Sequence, residues 1–409
     1  MVERKIQELS WELTSECNLR CKHCFNAVPT KRGVDLNIEE QLKVCDQIIN
    51  ANIKSVQLTG GEILLHEGWI QIASKLIDAG IRVSIITNGV LLNKDLVQKI
   101  SEAGVSAIGI SIEGLQKNND AIRGCGTYDK VMNAFGLIRN CNTDIPISVN
   151  TTITRHNIED LPELANQLEK RGVTSWMVQL AVPDGNFKKH KNDFMIQPSQ
   201  MDEIIDCMYE VWKKASMNIF LGDCIGHFNQ KEIEVRSTYA QAYGLKSYTE
   251  GCGAGKYVAG IKSNGDVVGC ISLKDKRYVE GNLKEVQLQD ILNNPGSFAW
   301  NREIESKKQL AGDCNGCQFG DICKSGCPAL KYDDEYNLIE NIYCSYNNAI
   351  KEERKRISNI TDLEILRREY DEAEKGGVSQ ICSLYLEQIE AVEFSETLED
   401  SPEQEPTKC

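Results

Sequence analysis

No stretch of about 18 consecutive apolar residues occurs in this chain, so the sequence predicts no membrane-spanning helix. The opening Met-Val-Glu-Arg-Lys-Ile-Gln-Glu has no apolar signal core, and the expected location is the cytoplasm. Positive charge is in short supply: 46 Lys and Arg face 60 Asp and Glu, for a formal net charge of −14. Non-specific nucleic-acid binding needs a basic footprint, so this composition argues against it. No internal repeat is visible.

What the chain has in plenty is cysteine: 17 in 409 residues, enough chain for two domains. In a cytosolic protein such usage points to metal or redox chemistry, not to disulfides. Ten of the cysteines fall into two ordered sets. The other seven (Cys45, Cys125, Cys141, Cys207, Cys224, Cys382 and Cys409) do not, and the default for most is a small buried apolar residue.

The first half of the chain alternates strand and helix. Strands are expected at 9–13, 55–58, 82–86, 105–110, 146–153 and 175–180, and helices at 38–49, 69–79, 94–103, 128–139 and 158–170. Gly80, Gly104 and Gly172 each follow a helical pattern and precede a strand. Six strand–helix units in series imply an α/β fold with a parallel sheet, too short for a closed eight-stranded barrel and therefore an open partial barrel. Sites on such sheets lie at the C-terminal strand ends.

The first cysteine set sits just past the end of strand one. Cys17, Cys21 and Cys24 form C-x3-C-x2-C. Three thiolates are one short of a full ligand set for a four-iron cluster, which leaves one iron open to a small molecule. The alternative is a zinc knuckle with His23 as fourth ligand. Strand two ends in Thr59-Gly60-Gly61-Glu62, where paired glycines permit close backbone approach and the carboxylate can accept from an ammonium group. Strand three ends in Thr87-Asn88-Gly89 and strand four in Ser111-Ile112-Glu113-Gly114, followed by Asp120-Ala-Ile-Arg123-Gly124. A guanidinium suits a carboxylate by bidentate geometry; a helix-end salt bridge is the plainer reading of Arg123.

The second set runs Cys252-x12-Gly265-x4-Cys270, then Cys314-x2-Cys317-x5-Cys323-x3-Cys327, then Cys344. Asn264-Gly265-Asp266 between its first two members is a hairpin signal. A pair of structural zinc sites is the alternative to iron–sulfur clusters.

The segment from Trp11 to Phe25, with its aromatic residue after the third cysteine, resembles the cluster loop of the radical S-adenosylmethionine (SAM) enzymes, and the second set resembles their SPASM extension. The resemblance covers roughly residues 7–350. It implies three [4Fe-4S] clusters: one on Cys17, Cys21 and Cys24 that binds SAM, and two auxiliary ones. Cys314, Cys317, Cys323 and Cys344 would hold the outer cluster, and Cys252, Cys270 and Cys327 the inner. Gly60, Gly61 and Glu62 would hold the SAM amino group, although Ile63 stands where relatives carry proline. Thr87-Asn88-Gly89 recurs in the family, Ser111 would contact the ribose and Arg123 the carboxylate, with Glu113 where relatives usually carry Asp. Asn150 and Gln179 are weaker carry-overs facing the cavity. The implied domains are 1–215 for the partial barrel, 216–350 for the SPASM domain, and 351–409 for a helical segment over 351–375 and a disordered acidic tail from Glu390.

The resemblance also implies reductive cleavage of SAM to a 5'-deoxyadenosyl radical and hydrogen abstraction from a peptide or protein, installing a crosslink, a thioether or an oxidised residue. Cys17 comes too early for an N-terminal leader-binding domain, so leader recognition falls to a separate protein or to the enzyme's inner surface. A flavodoxin or ferredoxin would be the electron donor. Anaerobic sulfatase maturation is an alternative, opposed by Ile271 where those enzymes place a catalytic Asp. Oxidation of a small molecule such as a porphyrin side chain is another, and a non-enzymatic metal-binding scaffold a third. The 183–198 segment reads as a loop, basic at Lys188, Lys189, His190 and Lys191, able to meet an acidic substrate or to serve as a solvated lid. The inner cluster, with three pattern cysteines, is expected to keep an open iron for the substrate; Cys224 as a remote fourth ligand is the rival.

Overall fold

A computed structural model describes residues 6–26, 35–141, 144–243, 250–301, 304, 306–333, 335, 337–377 and 379–399. Strands β1 (Glu8–Glu12), β2 (Ser55–Thr59), β3 (Arg82–Thr87), β4 (Ala107–Ser111), β5 (Ile147–Ile153) and β6 (Ser175–Leu180) form in the expected places. Each of β2, β3, β5 and β6 alternates buried and less buried side chains, the period-two signature of a pleated strand with one face in a core. They pair in parallel and in chain order, joined by crossover helices.

The crossover helices are α1 (Ile38–Asn50), α2 (Trp69–Asp78), α3 (Lys94–Glu102), α4 (Gln116–Arg123), α5 (Thr127–Asn140) and α6 (Leu161–Lys170). Local sequence starts and stops them. Asn37 and Glu40 form a reciprocal capping box at α1, and Asn93 caps α3. Gly80, Gly104 and Gly172 have φ between 72° and 82°, the left-handed conformation that ends a helix without penalty to glycine. Two helices depart from the sequence reading. Residues 116–123 make the separate helix α4, and part of the 183–198 segment is α7 (Phe187–Phe194), pinned by the buried Phe187 and Phe194. The short α7 reads as loop because its polar face, with Lys188, Lys189 and Lys191, outnumbers its two anchors.

The sheet is longer than six strands. After α8 (Gln200–Lys214), β7 (Asn218–Leu221) adds a seventh parallel strand beside β6. Beyond α9 (Gln230–Tyr243), β8 (Val258–Ile261) inserts parallel to β1 at the opposite edge, and β9 (Asp266–Val268) and β10 (Val279–Asn282) extend it antiparallel. One ten-stranded sheet, ordered β10-β9-β8-β1-β2-β3-β4-β5-β6-β7, therefore crosses residue 215. It is an open partial barrel whose core runs through Trp11, Leu58, Ile85, Ile110, Val149 and Trp176, all fully buried.

Small elements carry the second cysteine set: α10 (Leu288–Asn293), then α11 (Asp313–Gly316), α12 (Gly320–Cys323) and α13 (Pro328–Lys331). The chain then forms α14 (Ser345–Ile357), α15 (Leu363–Gly376) and α16 (Ser379–Glu399), with their own core of Ile350, Ile357, Leu366, Leu384, Tyr385 and Val392. α16 corrects the expectation of disorder from Glu390. The acidic composition is that of a solvated helix face, while Leu384, Tyr385 and Val392 supply the buried one. Residues 400–409 of the expected tail, Cys409 included, lie outside the described residues. No helix among the described residues is long and apolar enough to cross a membrane.

Candidate functional site

The C-terminal ends of β1 to β5 meet at one rim, and the first cysteine loop lies across it. Trp11 and Leu13 anchor the loop in the core. Its far side is held by hydrogen bonds from distant segments: Lys22 N donates to Ile122 O at 2.8 Å and Asn186 Nδ2 to Cys21 O at 2.8 Å. Asn186 N donates to Cys24 O at 2.9 Å. Asn186 follows Gly185, where a Cβ would lie 2.2 Å from Phe25 O, so the loop after β6 closes directly onto the cysteines. Backbone N–H groups point at two of the sulfurs, Leu19 N at Cys17 Sγ (3.4 Å) and Asn26 N at Cys24 Sγ (3.3 Å).

Gly60 and Gly61 are packed against the same loop. Gly61 N donates to Thr14 O and Glu62 N to Glu16 O, both at 2.7 Å, and a Cβ on Gly61 would stand 2.1 Å from Glu16 O. Glu62 is almost fully buried and its carboxylate is committed: Thr87 Oγ1 donates at 2.6 Å, Asn88 N at 2.7 Å and Leu64 N at 3.1 Å. These bonds brace the β2 loop to the β3 loop. Asn88 in turn donates to Asn18 Oδ1 at 2.7 Å, next to Cys17.

Arg123 and Glu113 form a buried pair at the end of β4. Arg123 Nε donates to Glu113 Oε1 at 2.9 Å, and His23 Nε2 meets the same oxygen at 3.1 Å. Burial alone would push the Glu113 carboxyl up, but the Arg123 guanidinium, the His23 contact and the Thr152 N–H outweigh it and hold it at about 2. His23 is thus tied to Glu113 through one ring nitrogen, which removes the zinc-knuckle role from that atom. Arg123 also lies near Cys21 and favours its thiolate, against burial that pushes this thiol up to about 11. Ser111 ends β4 beside Asn150 of β5.

The second cysteine set divides between two cavities. Cys314, Cys317, Cys323 and Cys344 line one of about 310 Å³ with His227, Phe228 and Phe319, and the two phenylalanine rings stack at 3.9 Å. Donors surround these sulfurs: Phe319 N to Cys317, Asn347 N to Cys344 and Asn347 Nδ2 to Cys314, each at 3.4 Å. Asn341 faces His227 Nε2 at 3.3 Å, so Nδ1 carries the proton and points it at Cys323 Sγ, 3.8 Å away. Cys252, Cys270 and Cys327 line a larger cavity of about 930 Å³ with Gln179, and Cys224 stands in the same wall. Lys331 is fully buried between the two sets, its ammonium bonded to Lys324 O at 3.0 Å and near Cys252, Cys327 and Cys323.

These thiols fit iron–sulfur clusters. Burial pushes Cys252 and Cys323 up to about 12, so each would hold its proton at neutral pH unless a cation replaced it. Among the described residues no three His, Cys, Asp or Glu side chains gather round one point as the ligands of a single ion do. The sulfurs line two cavities instead. Sequence reasoning missed Asn186, Lys331 and His227. Asn186 follows a Pro-Asp-Gly turn signal, whereas nothing local marks the other two.

A third cavity, of about 910 Å³, opens between the loop after β6 and the SPASM loops. Asp184, Lys188, Lys274, Asp275 and Asp333 line it, and it shares Val182, Ser272, Leu273, Pro328 and Ala329 with the Cys252 cavity. Lys274 also lies over the Phe25 ring at 4.6 Å, so the cavity adjoins the first cysteine loop.

Family comparison agrees with this layout. The Radical SAM superfamily model matches residues 11–168, and the SPASM iron–sulfur cluster-binding domain model matches residues 252–318. An AdoMet-dependent heme synthase of Methanosarcina barkeri is 28% identical over 84% of this chain and 97% of its own length. The mycofactocin maturase MftC of Mycolicibacterium smegmatis is 27% identical over 79% and 78%. Among solved structures, Streptococcus suis SuiB bound to precursor peptide SuiA superposes with a TM-score of 0.66 at 18% identity, covering 84% of this chain and 77% of that one. The chain belongs to the radical SAM superfamily with a SPASM cluster-binding domain, and it is an enzyme that uses SAM and [4Fe-4S] clusters.

Proposed function

We propose that the enzyme modifies a peptide at the mixed-charge cavity between the barrel rim and the SPASM loops. In this reading Cys17, Cys21 and Cys24 hold the SAM-binding cluster. Gly60, Gly61 and Glu62 hold the SAM amino group, and Asn88, Ser111 and Arg123 hold the rest of the molecule. Cys314, Cys317, Cys323 and Cys344 carry the outer auxiliary cluster, and Cys252, Cys270 and Cys327 contribute to the inner. Together the cofactors supply a 5'-deoxyadenosyl radical able to take hydrogen from an unactivated carbon. The chain's own part is to orient SAM, to keep the Glu113–Arg123 pair dry and to hold the substrate against the triad loop. Residues 1–215 would serve the radical chemistry, 216–350 the auxiliary clusters, and 351–409 would stand apart from both.

The observation that carries the peptide reading is the third cavity, open and lined by three carboxylates and two ammonium groups. A peptide backbone with polar side chains suits it; a porphyrin with several carboxylates meets three like charges. The similarity to MftC points the same way. The heme synthase similarity favours a porphyrin side chain as the second reading. Formylglycine formation finds no base at position 271, where the Ile271 side chain crowds Gly260 of β8. A flavodoxin or ferredoxin in the cytoplasm would supply electrons, and a separate protein could present a leader.

The test is anaerobic turnover of the reconstituted full chain with SAM and dithionite. One arm contains a peptide encoded beside its gene, the other a carboxylated iron porphyrin. The expected result is 5'-deoxyadenosine formed with a mass change in the peptide. Turnover of the porphyrin with an unchanged peptide overturns the peptide reading.

A further inference from the structure

We propose that Cys224, which lies outside the SPASM cysteine pattern, is the fourth protein ligand of the inner auxiliary cluster and closes it to substrate. The proposal rests on reading the second thiol set as iron–sulfur sites. It takes the rival of the open iron expected from the sequence.

Three observations support it. The first is position. β7 ends at Leu221 and Gly222 N still pairs with Val178 O at 2.8 Å, so Cys224 sits at the C-terminal rim of the parallel sheet, where the cofactors of this fold gather. A tight turn presents it: Ile225 N donates back to Gly222 O at 3.0 Å. The buried Arg236 guanidinium clamps that turn through the carbonyls of Leu221 (2.9 Å), Gly222 (3.0 Å) and Ile225 (3.0 Å). The thiol is therefore fixed.

The second is convergence. Cys224 lines the same cavity as Cys252, Cys270 and Cys327, which come from three separate SPASM segments. Those three segments reach β7 because β8 joins the far edge of the barrel sheet and folds the SPASM loops back over the rim. Four thiols thus line this cavity, as four line the outer one.

The third is the direction of the hydrogen bonds. Leu180 N donates to Cys224 Sγ at 3.2 Å, as Ala254 N does to Cys252 Sγ at 3.4 Å and as backbone N–H groups do to Cys317 and Cys344. A sulfur that receives N–H groups is arranged as a thiolate ligand. Cys207, a cysteine outside both sets, does the opposite: its thiol faces the Ile158 carbonyl at 3.8 Å. The neighbouring Asp223 is the one carboxylate in the wall, but it is engaged by Gly253 N and Arg236.

With four thiolates in place no iron of the inner cluster is left for a substrate thiolate. Substrate is then held by the adjoining mixed-charge cavity alone. The test uses the full chain with Cys17, Cys21 and Cys24 replaced by alanine, so that only auxiliary clusters report. Iron and sulfide content and the EPR spectrum after dithionite are measured, with and without 2-mercaptoethanol. The parent spectrum should ignore the added thiol. Cys224→Ala should lose one auxiliary signal and roughly half the iron, or keep the iron and become thiol-responsive, while the outer-cluster signal persists as a fold control. Cys224→Ser should retain iron with a shifted inner-cluster spectrum, and it decides the matter if the alanine variant fails to fold. An unchanged spectrum and iron content in both variants, a thiol response in the parent, or loss of the inner signal on Asp223→Asn but not on Cys224→Ala overturns the assignment. A parent that binds no iron would instead remove the iron–sulfur reading of the second set.

Discussion

The cysteine loop at the barrel rim and the thiol cavities of the SPASM region hold sulfur in different ways. The rim loop leaves Cys17 and Cys24 half-buried, with an arginine beside the triad and the Glu113–His23 contact beneath it. The sulfurs of the outer cavity are all buried and come from residues 314–344, whereas those of the other cavity span Cys224 to Cys327. The rim has an open edge with a buried cation, Arg123, beside it. Enclosed sulfurs surrounded by N–H donors favour a cluster that neither gains nor loses ligands. The contrast teaches that the three thiol groups share chemistry but not accessibility.

The largest effect expected on this contrast comes from replacing Cys17, Cys21 and Cys24 with alanine. SAM cleavage should vanish while both auxiliary clusters remain, read as 5'-deoxyadenosine by chromatography and as residual iron. Persistent 5'-deoxyadenosine would erase the distinction between rim and cavities.

Next is Arg123→Ala, which strands the Glu113 carboxylate in a buried site. Removing one partner of a buried pair costs ~3–5 kcal/mol, so the urea midpoint should fall along with SAM affinity. The pH dependence follows from the same pair. The Glu113 carboxyl is held at about 2 against an unfolded value of 4.5, so its stabilisation is complete above the unfolded value and lost as pH falls from there toward about 2. Glu113→Gln should flatten the stability curve across that window. An equally steep acid loss in the variant would show that the pair is not what keeps the rim folded.

Gly61→Ala should act more locally. Its Cβ would press on Glu16 O in the triad loop, with an overpacking penalty of ~1–3 kcal/mol. Lower occupancy of the SAM-binding cluster with intact auxiliary signals is the expected reading by EPR; equal loss of all three signals would contradict it. The smallest effect on SAM cleavage belongs to Leu366→Ala. It should destabilise the C-terminal helices by ~2–5 kcal/mol and leave iron content unchanged, because their core is separate from that of the barrel. A drop in iron would mean that α14, which carries Asn347 to Cys314, transmits the damage.

The sequence by itself determined the α/β alternation, the helix-ending glycines and both cysteine sets. Each of these is a short-range property: apolar periodicity, a left-handed φ, or ligand spacing within one loop. It left α7 and the last helix unread, because two or three buried anchors among many charges do not stand out in composition. Only the tertiary structure put Cys224 with the second group. The insertion of β8 beside β1, 250 residues away, carries the SPASM loops over the rim and brings Cys252, Cys270 and Cys327 into one cavity with Cys224 at the end of β7. Only the fold, too, placed Thr87 and Asn88 against the Glu62 carboxylate, so that it braces two loops. Hydrogen bonds and cavities between distant segments depend on sheet order, and sheet order is a property of packing that no local stretch of sequence records.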